Sequence, residues 1–153
     1  MTAVTSAGTT LHISAGVPST FDDTGYAALT YTAVGEVTDL GEFGREYNLV
    51  THNPVGNRGT VKLKGSFNEG SMQVQLALDT DDAGQILCKT ARGSDANYAF
   101  KVTTQNGDKY YFQAKVMSFK VGVGGVDTVT SATMTLEITT SSTGVGIVET
   151  LAA

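Results

Sequence analysis

The chain has 153 residues, a formal net charge of −5, one cysteine and two histidines. That length supports one hydrophobic core without disulfide or metal staples, and an acidic surface opposes the phosphate neutralisation on which tight nucleic-acid binding depends. Eighteen glycines, two prolines and abundant Thr and aliphatic residues suit short strands joined by turns rather than a helical bundle.

No basic segment precedes an apolar run at the N-terminus and no stretch of about 18 apolar residues occurs, so a soluble, uncleaved chain without a membrane span is expected. Residues 1–8 are small and polar and read as a mobile arm. Residues 9–15, Thr-Thr-Leu-His-Ile-Ser-Ala, alternate with period two and form a first strand, and a loop follows to residue 24. Residues 26–29 begin either a turn or a strand. Residues 33–39 read as a second strand in which Gly35 marks a bulge or a close backbone approach.

Residues 40–59 mix large apolar side chains with Arg45, Arg58 and several Asn and Glu. The stretch is too long for a tight hairpin and too apolar for a solvated linker, which favours partner contact. An extra strand with a covered loop is the competing reading. In residues 61–79, Val61, Leu63 and Phe67, then Met72, Val74, Leu76 and Leu78, oppose Lys62, Lys64, Ser66, Gln73, Gln75 and Asp79, the pattern of a hairpin with one apolar and one wet face.

Asp81 or Asp82 then caps a helix over residues 81–92 that ends in a basic turn at Arg92-Gly93 and must lay its apolar side on a sheet. Tyr98, Phe100 and Val102 alternate in the next strand, and Asn106-Gly107 is a strong hairpin signal because both positions tolerate positive φ. A long return strand follows over residues 109–121. Glycines at 122, 124 and 125 break it, and a final strand over residues 127–140 places Ala132, Met134, Leu136 and Ile138 on one face. The tail from residue 145 carries Val145, Ile147, Val148 and Leu151 and is expected to dock onto something. The fold class expected is therefore mainly β, a sandwich or barrel of two packed sheets with one flanking helix, in one domain.

Enzyme chemistry finds little support. His12 and His52 stand far apart with no ligand at zinc spacing, and Cys88 lies in the apolar run Ile86-Leu87-Cys88, where a buried thiol is expected. The segment from Gly65 to Gly70 does not match a nucleophile elbow, and the glycines at 122–125 have no following Lys-Ser/Thr and no helix to cradle phosphate. Asp22-Asp23 and the acids from Asp79 to Asp82 fit turns and caps, and the latter lack the spaced Gly and terminal Glu of a calcium loop. No catalytic residue, metal or cofactor is assigned. Charge is uneven: Asp22, Asp23, Glu36, Asp39, Glu42 and Glu46 precede Lys62, Lys64, Lys101, Lys109, Lys115 and Lys120. Ordinary solvated faces account for this, as do complementary faces that meet between copies.

The opening Ala7-Gly8-Thr9-Thr10-Leu11, the helix around Ala83-Gly84-Gln85-Ile86-Leu87, the Tyr98 to Phe112 hairpin with its Asn-Gly turn, and the continuation through Gly122-Val123 into a Thr-rich final strand resemble, in order and spacing, the major tail tube protein of long, non-contractile phage tails. The resemblance covers most of the chain. It implies a structural virion protein, assembled in the host cytoplasm, that forms six-fold rings stacked into a tube conducting double-stranded DNA. The implied partners are other copies, a tape-measure protein, a tail terminator and distal tail or baseplate proteins. It assigns subunit contacts to the N-terminal arm, the loop of residues 40–59 and a C-terminal arm of residues 144–153. Contact candidates are Phe43, Arg45, Tyr47, Leu49, Val50, Asn53, Arg58, Val145, Ile147, Val148 and Leu151; lumen candidates are Glu36, Thr38, Lys62, Lys64, Gln73 and Gln75. A carbohydrate-binding or adhesin sandwich, with Tyr31, Tyr47, Tyr110 or Tyr111 stacking on sugar, is the rival.

Overall fold

The computed structural model describes residues 3–152, so Met1 and Thr2 of the expected arm and Ala153 of the tail lie outside the described residues. The chain runs β1 (Thr10–Ser14), α1 (Asp23–Ala27), β2 (Thr32–Val34), β3 (Val37–Asp39), β4 (Glu46–His52), β5 (Val61–Asn68), β6 (Ser71–Ala77), α2 (Ala83–Arg92), β7 (Tyr98–Thr103), β8 (Lys109–Gly122), β9 (Ser131–Thr139) and β10 (Val148–Thr150). The fold is mainly β, with two sheets and a flanking helix, as the period-two pattern requires.

The larger sheet has the order β2-β1-β7-β8-β9-β6-β3, with β10 added beside β8. Its two end strands, β2 and β3, are neighbours in sequence, joined only by Gly35 and Glu36. Two linking residues span at most about 11 Å from Val34 to Val37, so the sheet must curl until its ends meet. The expected second strand of residues 33–39 is therefore two strands, and the crossing between them needs Glu36 at φ +60°, in the left-handed region. Inside the roll lie Leu11, Ile13, Met72, Val74, Leu76, Phe100, Phe112, Met134 and Leu136, each at most 1% exposed. On β6 and β9 these inward positions alternate with polar outward residues, whereas β7 and β8 also bury Ala99 and Tyr111 on their outer side, beneath Tyr26.

Helix α2 seals the crossing. Asp82 caps it, accepting from the Gln85 amide at 2.9 Å and from the Gly35 amide at 3.0 Å. Gln85, 1% exposed, donates from Nε2 to the carbonyls of Gly35 and Ala77, each at 3.0 Å, and accepts from the Asp79 amide at 3.0 Å. A Cβ at Gly84 would collide with the Ala33 carbonyl, so only glycine lets the helix approach β2 this closely. Cys88 and Ala91 complete the buried stripe. A second, shorter helix replaces the turn or strand expected at residues 26–29: Asp22 accepts from the Gly25 amide at 2.8 Å and starts α1, which buries Tyr26 against Tyr111.

The expected β5–β6 hairpin does not form. Strand β6 pairs with β9 and β3, whereas β5 pairs with β4. The region expected as a loop over residues 40–59 thus supplies a strand, and the chain passes from β5 to β6 through Glu69 and a Gly70 at φ +85°. The result is a two-stranded ribbon of β4 and β5 set off from one end of the rolled sheet.

Candidate assembly interface

The ribbon is the unusual surface of this molecule. Every residue of β4 is exposed, and only Gly65 and Phe67 of β5 are half-buried. Its register pairs Tyr47 with Phe67, Leu49 with Lys64, Val50 with Leu63, Thr51 with Lys62 and His52 with Val61. Directly paired residues share a face, so one face carries Tyr47, Leu49, Lys62, Lys64 and Phe67 and the other Val50, His52, Val61 and Leu63. Leu49 is 66% and Leu63 53% exposed. Val61 and Leu63 lie opposite Lys62 and Lys64 as expected, but Phe67 joins the lysine face because the register shifts between Tyr47 and Leu49, and β5 has no second layer to lie against. A two-stranded ribbon alone is marginal in water, and exposed apolar side chains on both faces mark a surface meant to be covered.

A root fastens the ribbon. Arg45 Nε meets Glu69 Oε1 at 2.7 Å, and that carboxylate side chain is 1% exposed. The same guanidinium lies 3.8 Å above the Phe67 ring and donates to the Tyr47 hydroxyl at 3.2 Å. Lys64 stands 4.8 Å above the Tyr47 ring. The C-terminal segment closes over Glu69 at Gly146, where a Cβ would strike the Glu69 carboxyl group. Neither the ion pair nor Gly146 was legible from spacing, since Glu69 reads as a turn residue.

The other contact candidates divide by environment. Asn53 and Arg58 are exposed at the ribbon tip. Phe43 packs into the body instead, its ring 5.3 Å from Tyr110 and 6.0 Å from Phe112. The C-terminal tail docks, but onto its own chain: β10 pairs with the edge of β8 at Lys109, Tyr110 and Tyr111, and Ala152 donates to Asp108 Oδ1 at 2.8 Å. Val145 is half-buried, Ile147 packs against the main core and Val148 against the Tyr26–Tyr111 cluster, while Leu151 stays 64% exposed.

The lumen candidates also separate. Thr38, Gln73 and Gln75 share the outer face of β3 and β6, where Thr38 donates to the Gln75 carbonyl at 3.1 Å. That face continues across β9 and β8, because Gln73 pairs with Thr135 and Gln75 with Thr133, which in turn oppose Ser118 and Lys120. The result is a wide hydroxyl and amide surface that also carries Lys115, Glu137 and Lys120. Glu36 is exposed at its margin, and Lys62 and Lys64 lie on the ribbon instead.

Of the tyrosines offered for sugar stacking, Tyr111 is 3% exposed and stacks on Tyr26 at 5.6 Å, Tyr31 leans on Tyr111 at 6.2 Å, and Tyr110 meets Phe43. Burial pushes the Tyr26 phenol up to about 12 and the Tyr31 phenol higher still, with Tyr111 and Tyr26 adding to the effect. These rings are committed to packing. Among the described residues no group of three or more His, Cys, Asp or Glu is placed to hold a metal ion, and no helix is long and apolar enough to cross a membrane.

No protein-family model and no curated protein matches the sequence. Solved structures do match the fold. A chain in the 6-fold symmetrised cryo-EM structure of the anti-feeding prophage (AFP) baseplate superposes with a TM-score of 0.66 at 11% identity, covering 91% of this chain and 93% of that one. A chain in the tail of an empty GTA particle, solved with helical refinement and C6 symmetry, superposes with a TM-score of 0.62 at 9% identity, covering 94% and 96%. The fold is shared along nearly the whole length of both partners. At these identities the likeness is one of fold.

Proposed function

We propose that this chain is a structural subunit of a phage or phage-like tail, non-enzymatic, which polymerises as stacked hexameric rings into a tube that conducts double-stranded DNA. One observation carries the reading: a ribbon exposed on both faces, with apolar side chains on each, fixed to a well-packed body. Such an element gains stability only when other copies cover it. The six-fold symmetry of the AFP baseplate and the C6 symmetry of the GTA tail support the ring.

The polar face of β3, β6, β9 and β8 suits a lumen. A wall mainly of Thr, Gln and Ser offers weak, exchangeable hydrogen bonds, and its two lysines, Lys115 facing Glu137 across the strand pair and Lys120, are too few to form the basic groove that would hold phosphate, so DNA slides without being held. Thr38, Gln73 and Gln75 are the lining residues; Lys62 and Lys64, being on the ribbon, are not. A tape-measure protein, a terminator and distal tail proteins are the further partners of such a tube, and the virion tail its place.

Electron microscopy of the purified protein over a concentration series tests this directly. Six-fold rings or tubes are the expected result, and a particle that stays monomeric at every concentration overturns it. Leu49→Ser with Leu63→Ser should reduce assembly while leaving the monomer's melting temperature unchanged, because these side chains bury little within the subunit.

A further inference from the structure

Charge is sorted between the two ends of the rolled sheet. Within residues 45–68, Arg45, Arg58, Lys62 and Lys64 face a single acid, Glu46, in a chain whose overall charge is −5. With Arg45 paired to Glu69 at the root, the ribbon leaves the body carrying Arg58, Lys62 and Lys64 against Glu46, a cationic projection. It departs from the end where β5 passes into β6 at Glu69 and Gly70. The opposite end is built by the Gly35-Glu36 crossing, the turn from β6 into α2, and the loop between β8 and β9. These three are fixed together: the Ala77 amide donates to the Glu36 carbonyl at 2.8 Å, and the Leu78 amide to the Thr130 carbonyl at 2.9 Å. Glu36, Asp79, Asp81 and Asp127 are all exposed there, and Lys120, near the end of β8, is the one exposed cation close to them among the described residues. So are Val123 at 66% and Val126 at 101%.

The two ends thus match in chemistry. The ribbon offers apolar side chains beside cations, and the far end offers apolar side chains beside anions. Among the described residues Arg45–Glu69 is the one ion pair, which leaves Lys62, Lys64 and the acids of the far end without an oppositely charged partner in their own chain. Because donor and receiver lie at opposite ends of one subunit, their contact is heterologous and propagates along an axis instead of closing.

We infer that the ribbon of one copy docks, through Lys62 and Lys64, on the acidic end of a second copy carrying Asp79, Asp81 and Asp127, and that this charge match sets the polarity of stacking. The inference rests on the self-assembly reading and adds the surface that receives the ribbon. Its electrostatic part steers and orders the encounter, and the apolar part supplies affinity. Raised salt weakens the contact.

A charge-swap experiment tests it by light scattering and electron microscopy in about 50 mM salt, where screening is weak. One variant carries Lys62→Glu and Lys64→Glu, a second carries Asp81→Lys and Asp127→Lys. Asp82 is left intact because it caps α2, and Asp79 because it accepts from the Asp81 amide. Each variant alone should need at least about tenfold more protein to polymerise than the unmodified chain. An equimolar mixture should regain assembly, since each ribbon then meets an end of opposite sign. Melting temperatures close to that of the parent certify that both variants fold. Polymerisation of either variant alone at the parent's threshold overturns the charge match and leaves self-assembly standing, and so does a mixture that stays as inactive as its parts. A parent chain that never polymerises overturns both.

Discussion

Replacing Gln85 with leucine isolates the contact that closes the rolled sheet. The two side chains are similar in volume and helix propensity, so the helix itself should be unaffected. What changes is that the Gly35 and Ala77 carbonyls and the Asp79 amide lose their partner at 3.0 Å in each case. Orphaning a buried polar group costs about 1–3 kcal/mol; these groups sit in partly buried surroundings, so the low half of that range applies to each. The greater hydrophobicity of leucine at a site 1% exposed recovers about 1 kcal/mol. The net loss is then about 2–5 kcal/mol, or roughly 4–20 °C in melting temperature for a domain of this size. Urea unfolding monitored by circular dichroism measures it. A change below about 0.5 kcal/mol, within the range of ordinary surface substitutions, would show that the crossing is held by strand pairing alone and refute the reasoning.

Three further predictions concern buried groups. The Tyr26 hydroxyl is buried without a hydrogen-bond partner among the described residues, so Tyr26→Phe should leave stability unchanged or raise it by about 1 kcal/mol; a loss of comparable size in a thermal melt would contradict this. Burial, with a contribution from Asp82, pushes the Cys88 thiol up to about 12, so a disulfide reagent at mildly alkaline pH should label it only after unfolding, and rapid native-state labelling would count against the packing of α2. His12 is held below its usual range by burial first and then by Lys101 opposite it in the sheet. The unfolded chain then binds this proton more readily, so the stability tied to neutral His12 is full above its unfolded pKa of about 6.5 and is lost as pH falls from there through the lower folded value. His12→Gln should lose less stability than the parent between neutral and mildly acidic pH, and an equal loss in both would place the acid sensitivity elsewhere.

What the sequence disclosed, and what it hid, follow one physical division. Strands β6 and β9 were legible because each buries one face, which enforces alternation such as Met72, Val74 and Leu76 against Ser71, Gln73 and Gln75. The helix was legible from the Asp82 cap and the Arg92-Gly93 stop. Partner choice was not. The alternation of Val61 and Leu63 looks the same whether the face meets its own core or another molecule, and β5 pairs backward with β4 instead of forward with β6. Tyr47, Leu49 and Thr51 alternate with Asn48 and Val50 and could have marked β4, but the apolar residues occupy both phases, which blurs the period-two signal. The C-terminal segment was read as an arm for neighbours; its short apolar pattern is equally that of β10, which covers the otherwise open edge of β8. The part Glu36 and Gln85 play in closing the sheet carried no signal, because a two-residue crossing between the ends of a sheet is a tertiary event.

The root of the ribbon explains how so exposed an element keeps a direction. Glu69 is withdrawn from solvent between Arg45, which opens the ribbon, and Gly146, which belongs to the tail segment leading into β10. A carboxylate buried this deeply is tolerable only with its cation in place, so the guanidinium is drawn to the root and its plane is stacked on Phe67. The ribbon therefore leaves the body at a fixed base while glycines at 44 and 70 on either side lack bulk to define its course. That arrangement lowers the ordering cost of docking, since the strands are paired and aimed before a neighbour arrives. It also couples two segments far apart in sequence: displacing the tail uncovers Glu69, hydrates it and loosens its hold on Arg45. On the assembly reading, the tail acts on stacking through the ribbon's base, by keeping one carboxylate dry.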